Sequence, residues 1–207
     1  MKFAKRLLSI VVLVAVMLTS TGCSNSTAEA ENLLKTYFSA LNGFNTDAMK
    51  KCLVSDNEYD IGFSTETISD GYVQTDNYKK SVESMFKGLS DTFVFTINST
   101  EAVDKTTVKF NVTVKHANVD EEAVNAYVQG KVDNYVTKHP SYFDLNEIEQ
   151  SDTSIAVMAD AYNQYLQITQ RVTKDIDILV TKVGNNWKIE TAKNYELFEL
   201  LTTVFAE

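Results

Sequence analysis

The clearest pattern of apolar and polar positions lies in residues 175–191, DIDILVTKVGNNWKIET. Its first half alternates polar and apolar residues, which is the two-residue period of a strand with one buried face. Gly184-Asn185-Asn186 then supplies residues that tolerate a positive φ, and Trp187 and Ile189 resume the alternation. A two-residue turn places these two on the same face as the apolar residues of the first strand, whereas a three-residue loop reverses them. We therefore predict a β-hairpin that is part of the sheet on which the other elements pack.

Other segments of the chain divide into strands and helices by the same criterion. Apolar residues alternate with polar ones at 93–97 and at 108–114, which predicts two further strands, with a short strand also possible at 59–63. Spacings of three and four residues predict four helices, at 28–42, from 46 or 47, at 76–89 and at 195–205. Between the strands, residues 119–171 change to a helical period that is broken at His139-Pro140. This predicts a two-helix insertion.

This order of elements resembles the nuclear transport factor 2-like superfamily, also called cystatin-like, and in particular its uncharacterised bacterial lipoproteins. The resemblance covers residues 28–117 and 174–192 and is carried by the opening helix, the segment NGFNTDAMKKCL and the hairpin VTKVGNNWKIET. It implies an α+β fold in which a curved antiparallel sheet packs on N-terminal helices and encloses a cone-shaped pocket. The insertion at 119–171 departs from that fold. It could form a lid, a pocket wall or a separate contact surface. No linker divides residues 28–207, which predicts a single domain.

The first 23 residues have the layout of a cleavable signal peptide. Three basic residues precede an apolar stretch at 7–18, which is too short for a membrane span of ~20 residues. Gly22-Cys23 resembles the lipobox of bacterial lipoproteins, although Ser20 stands where that family usually has leucine. The resemblance implies that Cys23 receives a diacylglycerol and anchors the chain in the outer face of a bacterial cell membrane, with residues 24–27 as a polar tether. The alternative is an ordinary secretory signal.

Charge and cysteine content restrict the remaining possibilities. The chain has 19 basic and 28 acidic residues, and loss of the signal removes Lys2, Lys5 and Arg6, which leaves a net charge of −12. Such a balance argues against nucleic acid as a partner and against a domain lying flat on an anionic bilayer. With Cys23 acylated, Cys52 is the only other cysteine, so no intramolecular disulfide forms. We expect Cys52 to be a small buried apolar residue.

The candidate chemistry of the cone rests on one histidine. His116 continues the apolar face of its strand, and it could act as a general base if a carboxylate such as Asp177 oriented its ring. The alternative places the ring in water at the end of the strand. Five residues are predicted to line the pocket: Tyr37, Phe110, Val114, His116 and Trp187.

Three further features each have two interpretations. Residues 56–62 place carboxylates at alternate positions before a glycine, but the glycine comes one place late for a calcium loop and Thr67 stands where the bidentate glutamate belongs, which favours a solvated acidic loop. The C-terminal helix is apolar around most of its circumference, so it is buried against its own sheet or against a second chain. Four tyrosines of the insertion provide either helix packing or a stacking surface: Tyr127, Tyr135, Tyr162 and Tyr165.

No phosphate-binding loop, CxxC, HExxH or GxSxG motif is present in the sequence, and we predict no cofactor and no metal. The sequence favours a membrane-anchored lipoprotein with a non-enzymatic domain that binds a small apolar ligand or an envelope protein. The alternatives are an enzyme that uses His116 and a carboxylate, and a structural module that forms a homodimer through the C-terminal helix or the sheet.

Overall fold

The structure is a computed structural model, and it describes residues 24–54 and 75–206. The helices and strands of these residues follow in the order α1 (Ser24–Asn42), α2 (Thr46–Cys52), α3 (Asp76–Ser90), β1 (Val94–Ala102), β2 (Thr107–Ala117), α4 (Glu121–Lys138), α5 (Glu147–Ile168), β3 (Arg171–Val183), β4 (Asn186–Ile189) and α6 (Tyr195–Ala206). The predicted strand at 59–63, the acidic loop at 56–62 and Cys23 lie outside the described residues. The chain is an α+β protein.

The four strands form one antiparallel sheet in the order β1-β2-β3-β4. The even-numbered residues 108–116 of β2 and 176–180 of β3 are buried on one face, while most odd-numbered residues lie on a polar and more exposed face. Strand β1 carries a bulge, because the register with β2 skips one residue between Ile97 and Ser99. The alternation in the sequence therefore predicted correctly which face of the sheet is buried.

The predicted hairpin between β3 and β4 is confirmed. Val183 pairs with Asn186, so the turn consists of Gly184 and Asn185, and Gly184 adopts a φ of 61°. That backbone conformation carries little steric cost for glycine, which has no Cβ. As a two-residue turn requires, Trp187 and Ile189 are buried on the inner face of the sheet.

The main hydrophobic core lies between the inner face of the sheet, α1, α2 and α6. Helix α6 packs on β3 of its own chain, and Leu197 and Leu201 are fully buried. The apolar C-terminal helix is thus covered by its own sheet, which was one of the two predicted alternatives. Cys52 is buried in the same core, as predicted.

Helices α4 and α5 form the predicted insertion between β2 and β3. These two strands pair from Thr107 with Thr181 to Ala117 with Arg171, and just beyond that pair the Asn118 amide donates to the Gln170 carbonyl oxygen at 2.8 Å. Helix α5 packs between α3 and α4 and buries a smaller set of side chains with them: Tyr78, Val82, Val124, Ala159, Ala161 and Tyr165.

A glycine lies in the contact between α3 and α5. A Cβ on Gly88 would lie 1.9 Å from Oδ1 of Asn163, so any larger residue requires the Asn163 side chain to move. Nearby, the Asn163 amide donates to Oγ of Ser84 at 3.0 Å.

The sheet has two distinct ends, which we call the turn end and the insertion end. The turn end carries the β1–β2 and β3–β4 turns, and the insertion end carries the start of α4 and the end of α5. Helix α1 runs between them, because Glu29 accepts a hydrogen bond from Trp187 at the turn end, whereas Phe38 stacks on Phe95 near the insertion end. The helix begins at Ser24, so the predicted polar tether, residues 24–27, is helical.

Candidate functional site

The five residues predicted to line a cone-shaped pocket are part of the packed core. Tyr37, Phe110 and Val114 are fully buried, and Trp187 and His116 are 6% and 7% exposed. None of them lines either of two open clefts in the described part of the chain. In the described part of the chain, the space beneath the sheet is therefore occupied by the protein's own side chains.

Two polar groups in this core are Tyr37 and Cys52. Among the residues that the structure describes, the buried Tyr37 hydroxyl has no hydrogen-bond partner. Burial raises the pKa of this phenol well above its usual range, with a smaller effect from Cys52. Sγ of Cys52 lies 3.4 Å from the Ala48 carbonyl oxygen, and burial raises the pKa of the thiol. Since the thiolate is the reactive form, Cys52 has the environment of a structural cysteine.

His116 lies on the inner face of β2, near the insertion end. Its Nδ1 is 2.8 Å from the Ala117 carbonyl oxygen, and its ring stacks on Phe93 with 5.4 Å between centroids. Burial lowers the pKa of the imidazole, the hydrogen bond to Ala117 opposes this, and the charge of Arg171 lowers it further. The neutral ring is therefore the favoured form in the folded protein.

Asp177, the carboxylate considered as a partner of His116 in the enzyme hypothesis, does not contact this histidine. His116 pairs across the sheet with Val172, whereas Asp177 pairs with Asn111, five residues further along β3 and on the opposite face. Five residues of strand span roughly 17 Å. The Asp177 carboxylate instead accepts a hydrogen bond from Asn111 at 2.9 Å and forms an ion pair with Lys109 at 2.7 Å. These contacts hold the pKa of Asp177 below its usual range.

We expect His116 to make the folded protein less stable as the pH falls below the pKa of an unfolded histidine, about 6.5. The pKa of His116 in the folded protein is lower than this value, so between the two pKa values the unfolded chain binds more protons than the folded protein. The stability that the neutral ring contributes is therefore fully present above the unfolded pKa and is lost as the pH falls towards the folded pKa. Urea unfolding of the wild type and His116→Phe at pH 7 and pH 5 tests this. The free energy of unfolding of the wild type should fall more than that of the variant, and equal falls would contradict the prediction.

The larger cleft lies in the helical layer, between α3, α4 and α5. It has a volume of about 710 Å³. Its floor is formed by small and aliphatic residues of α5, including Ala156, Val157 and Ala161, and its walls are polar. From Asp152 to Gln164 the floor helix is about 18 Å long, at 1.5 Å per residue.

The acidic side chains of the cleft are already hydrogen-bonded to the protein. Asp152 accepts hydrogen bonds from the Thr75 hydroxyl and, at 3.4 Å, from the Asn77 amide. Asp160 accepts a hydrogen bond from Nε2 of Gln164 at 2.7 Å. These donors come from the N-terminal end of α3 and from α5 itself, and they partly compensate the two carboxylates.

The basic side chains of the cleft are only partly engaged. Lys131 donates to Oε1 of Gln164 at 3.1 Å and lies 5.1 Å from the centroid of the Tyr127 ring. Lys80 and Lys138 make neither an ion pair nor a side-chain hydrogen bond within the described residues. The cleft therefore offers two ammonium groups that have no acceptor in the described structure.

An aromatic pair continues this wall at the C-terminal end of α4. The His139 ring stacks on Tyr135 with 4.2 Å between centroids, and its Nδ1 lies 2.8 Å from the Tyr135 carbonyl oxygen. A proton on Nδ1 leaves Nε2 free to accept a hydrogen bond, or to donate one when the ring is protonated. Elsewhere in the layer, Tyr127 and Tyr165 pack against each other at 5.7 Å. Of the four tyrosines considered in the insertion, Tyr127 and Tyr165 therefore take part in helix packing, whereas Tyr135 lines the cleft.

A smaller hollow of about 530 Å³ lies beside β4. It is lined by Asp47, Lys50, Lys51, Leu53, Val54 and Lys188, and Nζ of Lys188 donates to the Lys51 carbonyl oxygen. Among the residues that the structure describes, no cluster of His, Cys, Asp or Glu could hold a metal ion. Likewise, no helix in residues 24–54 or 75–206 is both long and apolar enough to cross a membrane.

Sequence reasoning did not identify the cleft. One signal was available, because Lys131 and Lys138 are seven residues apart, which places them on one face of α4. The packing of α3 against α5, which brings Lys80 to the opposite wall, joins segments far apart in the chain and has no local pattern.

No protein-family model matches the chain, and no curated protein matches it. The fold is similar to a crystal structure of YcdA, a candidate lipoprotein from Bacillus subtilis, with a TM-score of 0.51 and 19% sequence identity. The match covers 86% of this chain but only 56% of the YcdA chain. At this identity the similarity shows the α+β fold alone, and the nuclear transport factor 2-like assignment stays a prediction.

Proposed function

We propose that this protein is a lipoprotein, attached through Cys23 to the outer face of a bacterial cell membrane, and that it binds an acidic segment of an envelope protein in the cleft between α3, α4 and α5. The attachment is supported by the signal-peptide layout, the Gly22-Cys23 motif and the fold similarity to a candidate lipoprotein. The binding activity rests on one observation above all. Lys80 and Lys138 line an open cleft and have no acceptor among the described residues, while the acids beside them are hydrogen-bonded.

The shape of the cleft favours a polypeptide over a small apolar ligand. A floor of about 18 Å accommodates roughly five residues of extended chain, at 3.3 Å per residue. The walls carry lysine, asparagine and histidine side chains rather than a continuous apolar surface. Carboxylates of a bound segment would accept charge-assisted hydrogen bonds from the lysines, and its apolar atoms would cover Ala156 and Val157.

The test is to fill the cleft. Ala156→Trp places an indole on its floor, and Ala126→Trp, at an exposed position of α4 outside the cleft, is the matched control. Lipoprotein purified gently from its own envelope is examined by native mass spectrometry. We expect a second polypeptide to accompany the wild type and the Ala126→Trp variant but not Ala156→Trp.

Charge removal gives an independent measure of the same site. The double variant Lys80→Gln, Lys138→Gln should weaken the complex roughly tenfold in Kd, since each partly exposed ion pair contributes up to ~1 kcal/mol. A partner retained equally by Ala156→Trp, or a wild-type chain that carries no partner, would contradict binding in the cleft. Thermal unfolding of each variant verifies that the fold is intact.

A further inference from the structure

Helix α1 connects the predicted lipid anchor directly to the turn end of the sheet. The helix begins at Ser24, the residue after Cys23, so no flexible linker separates the acylated residue from the folded domain. Ser24 lies about 7 Å along the helix axis from Glu29, which Trp187 holds at the turn end. Because α1 then runs towards the insertion end, acyl chains on Cys23 hold the turn end against the bilayer.

The turn end exposes aliphatic side chains at the tips of both turns. Val103 in the β1–β2 turn is 53% exposed, and Val183 at the β3–β4 turn is 48% exposed. The two turns are neighbours, because the Lys182 amide donates to the Thr106 carbonyl oxygen at 2.7 Å. Two aliphatic groups at adjacent loop tips suit shallow contact with the boundary between headgroups and acyl chains.

Lysines surround these tips. Lys105 lies in the β1–β2 turn and Lys188 lies on β4. Lys182 is the penultimate residue of β3, and its ammonium is 5.8 Å from the centroid of the Trp187 ring. Lys188 also lines the smaller hollow, together with Lys50 and Lys51 of α2.

Of the acidic groups that the structure describes at this end, two are already hydrogen-bonded to the protein. Asp104 is held by the amide and hydroxyl of Thr106 at 2.6 and 2.8 Å, Glu29 accepts from Trp187, and Asp47 lies in the smaller hollow. Glu101, two residues before Val103, also lies beside the β1–β2 turn. The N-terminus of α1 adds its partial positive charge at the same place.

We infer that the turn end is a membrane-contacting surface that rests on anionic phospholipid headgroups. The inference rests on the lipid attachment included in the proposed function. The lysines at the loop tips, rather than the net charge of the chain, carry this expectation. A lipid anchor supplemented by basic side chains is the combination that holds a protein stably at an anionic surface.

Trp187 provides a natural probe, since it is the only tryptophan of the chain and lies at the turn end. The lipidated protein is reconstituted into vesicles of phosphatidylcholine alone or mixed with phosphatidylglycerol, each with a trace of dansyl-headgroup lipid. Energy transfer from Trp187 is measured relative to the same vesicles without dansyl. We expect transfer to rise about twofold in the anionic vesicles and to fall again in high salt.

Two matched triple variants localise the effect. Lys105→Gln, Lys182→Gln, Lys188→Gln should reduce transfer in anionic vesicles to the level in phosphatidylcholine. The control variant removes the same charge from the cleft by Lys80→Gln, Lys131→Gln and Lys138→Gln. It should leave energy transfer from Trp187 unchanged. Equal transfer in the two lipid mixtures, or an equal effect of the two variants, would overturn the inference.

Flotation separates this inference from the anchor on which it rests. A protein that floats with phosphatidylcholine vesicles but shows no charge-dependent transfer is anchored, and only the surface assignment fails. A protein that does not float, and whose intact mass lacks a diacylglyceryl group, refutes the anchor and with it the inference.

Discussion

Phe110→Ala is expected to lower the free energy of unfolding by about 4 kcal/mol, within the range for large-to-small changes at buried aromatic positions. Phe110 is fully buried on the inner face of β2, directly opposite Ile178 of β3. Truncation removes the ring from a filled core and leaves a cavity that the central strands cannot close by moving, because both are paired on each side.

The same variant distinguishes a filled core from the ligand pocket that the sequence predicted. Phe110→Leu keeps most of the volume and should cost roughly 1 kcal/mol. Phe143→Ala, at a position that is 69% exposed, should change stability by less than about 0.5 kcal/mol. Urea unfolding of the three variants provides the measurement. If Phe110→Ala lowers the free energy of unfolding no more than Phe143→Ala does, the space beneath the sheet is open. That result would support the predicted cone-shaped pocket.

Asn194→Ala should cost about 3 kcal/mol, because three partly buried hydrogen bonds of one side chain are lost together. The Asn194 side chain is buried at the start of α6. Its Oδ1 accepts from the Leu179 amide at 2.6 Å, and its Nδ2 donates to the carbonyl oxygens of Leu179 and Glu190, each at 2.9 Å. Strand β4 pairs with β3 only from Val180 onward, so this amide side chain continues the ladder at Leu179 and fixes α6 to the sheet.

The control is Asn125→Ala, at an exposed position of α4, which should be neutral or slightly stabilising because alanine favours the helix. Thermal and urea unfolding report both changes. A cost below about 1 kcal/mol for Asn194→Ala would show that α6 is held by its apolar contacts alone.

Most of the fold could be predicted from local patterns in the sequence. The alternation at 108–114 and in residues 175–191 predicted the buried face of β2, β3 and β4, since a period of two fixes which side chains share a face. The break at His139-Pro140 correctly divided the insertion into two helices. Boundaries were less accurate, and β3 begins at Arg171, four residues before the segment whose alternation was recognised.

The site depended on contacts that no local pattern encodes. His116 and Asp177 looked compatible as residue types, but strand register places them on opposite faces. The cleft forms because α3 packs on α5, where the Asn163 side chain lies against Gly88. The sequence does not show which helices pack together or how closely they approach. Asn194 resembled an ordinary polar residue before a helix, and its role follows only from where β4 ends.

The helical insertion also has a consequence for the order of folding. Residues 118–170 separate the two central strands, and closing a loop of that length as a random chain would slow their pairing. Helices α4 and α5 pack on each other as neighbours in the chain, and their hairpin brings Asn118 and Gln170 within hydrogen-bond distance. Once the helical hairpin has formed, Ala117 and Arg171 are already neighbours. Strands β2 and β3 can then pair residue by residue from the insertion end towards the turn end, as in a hairpin with a tight turn.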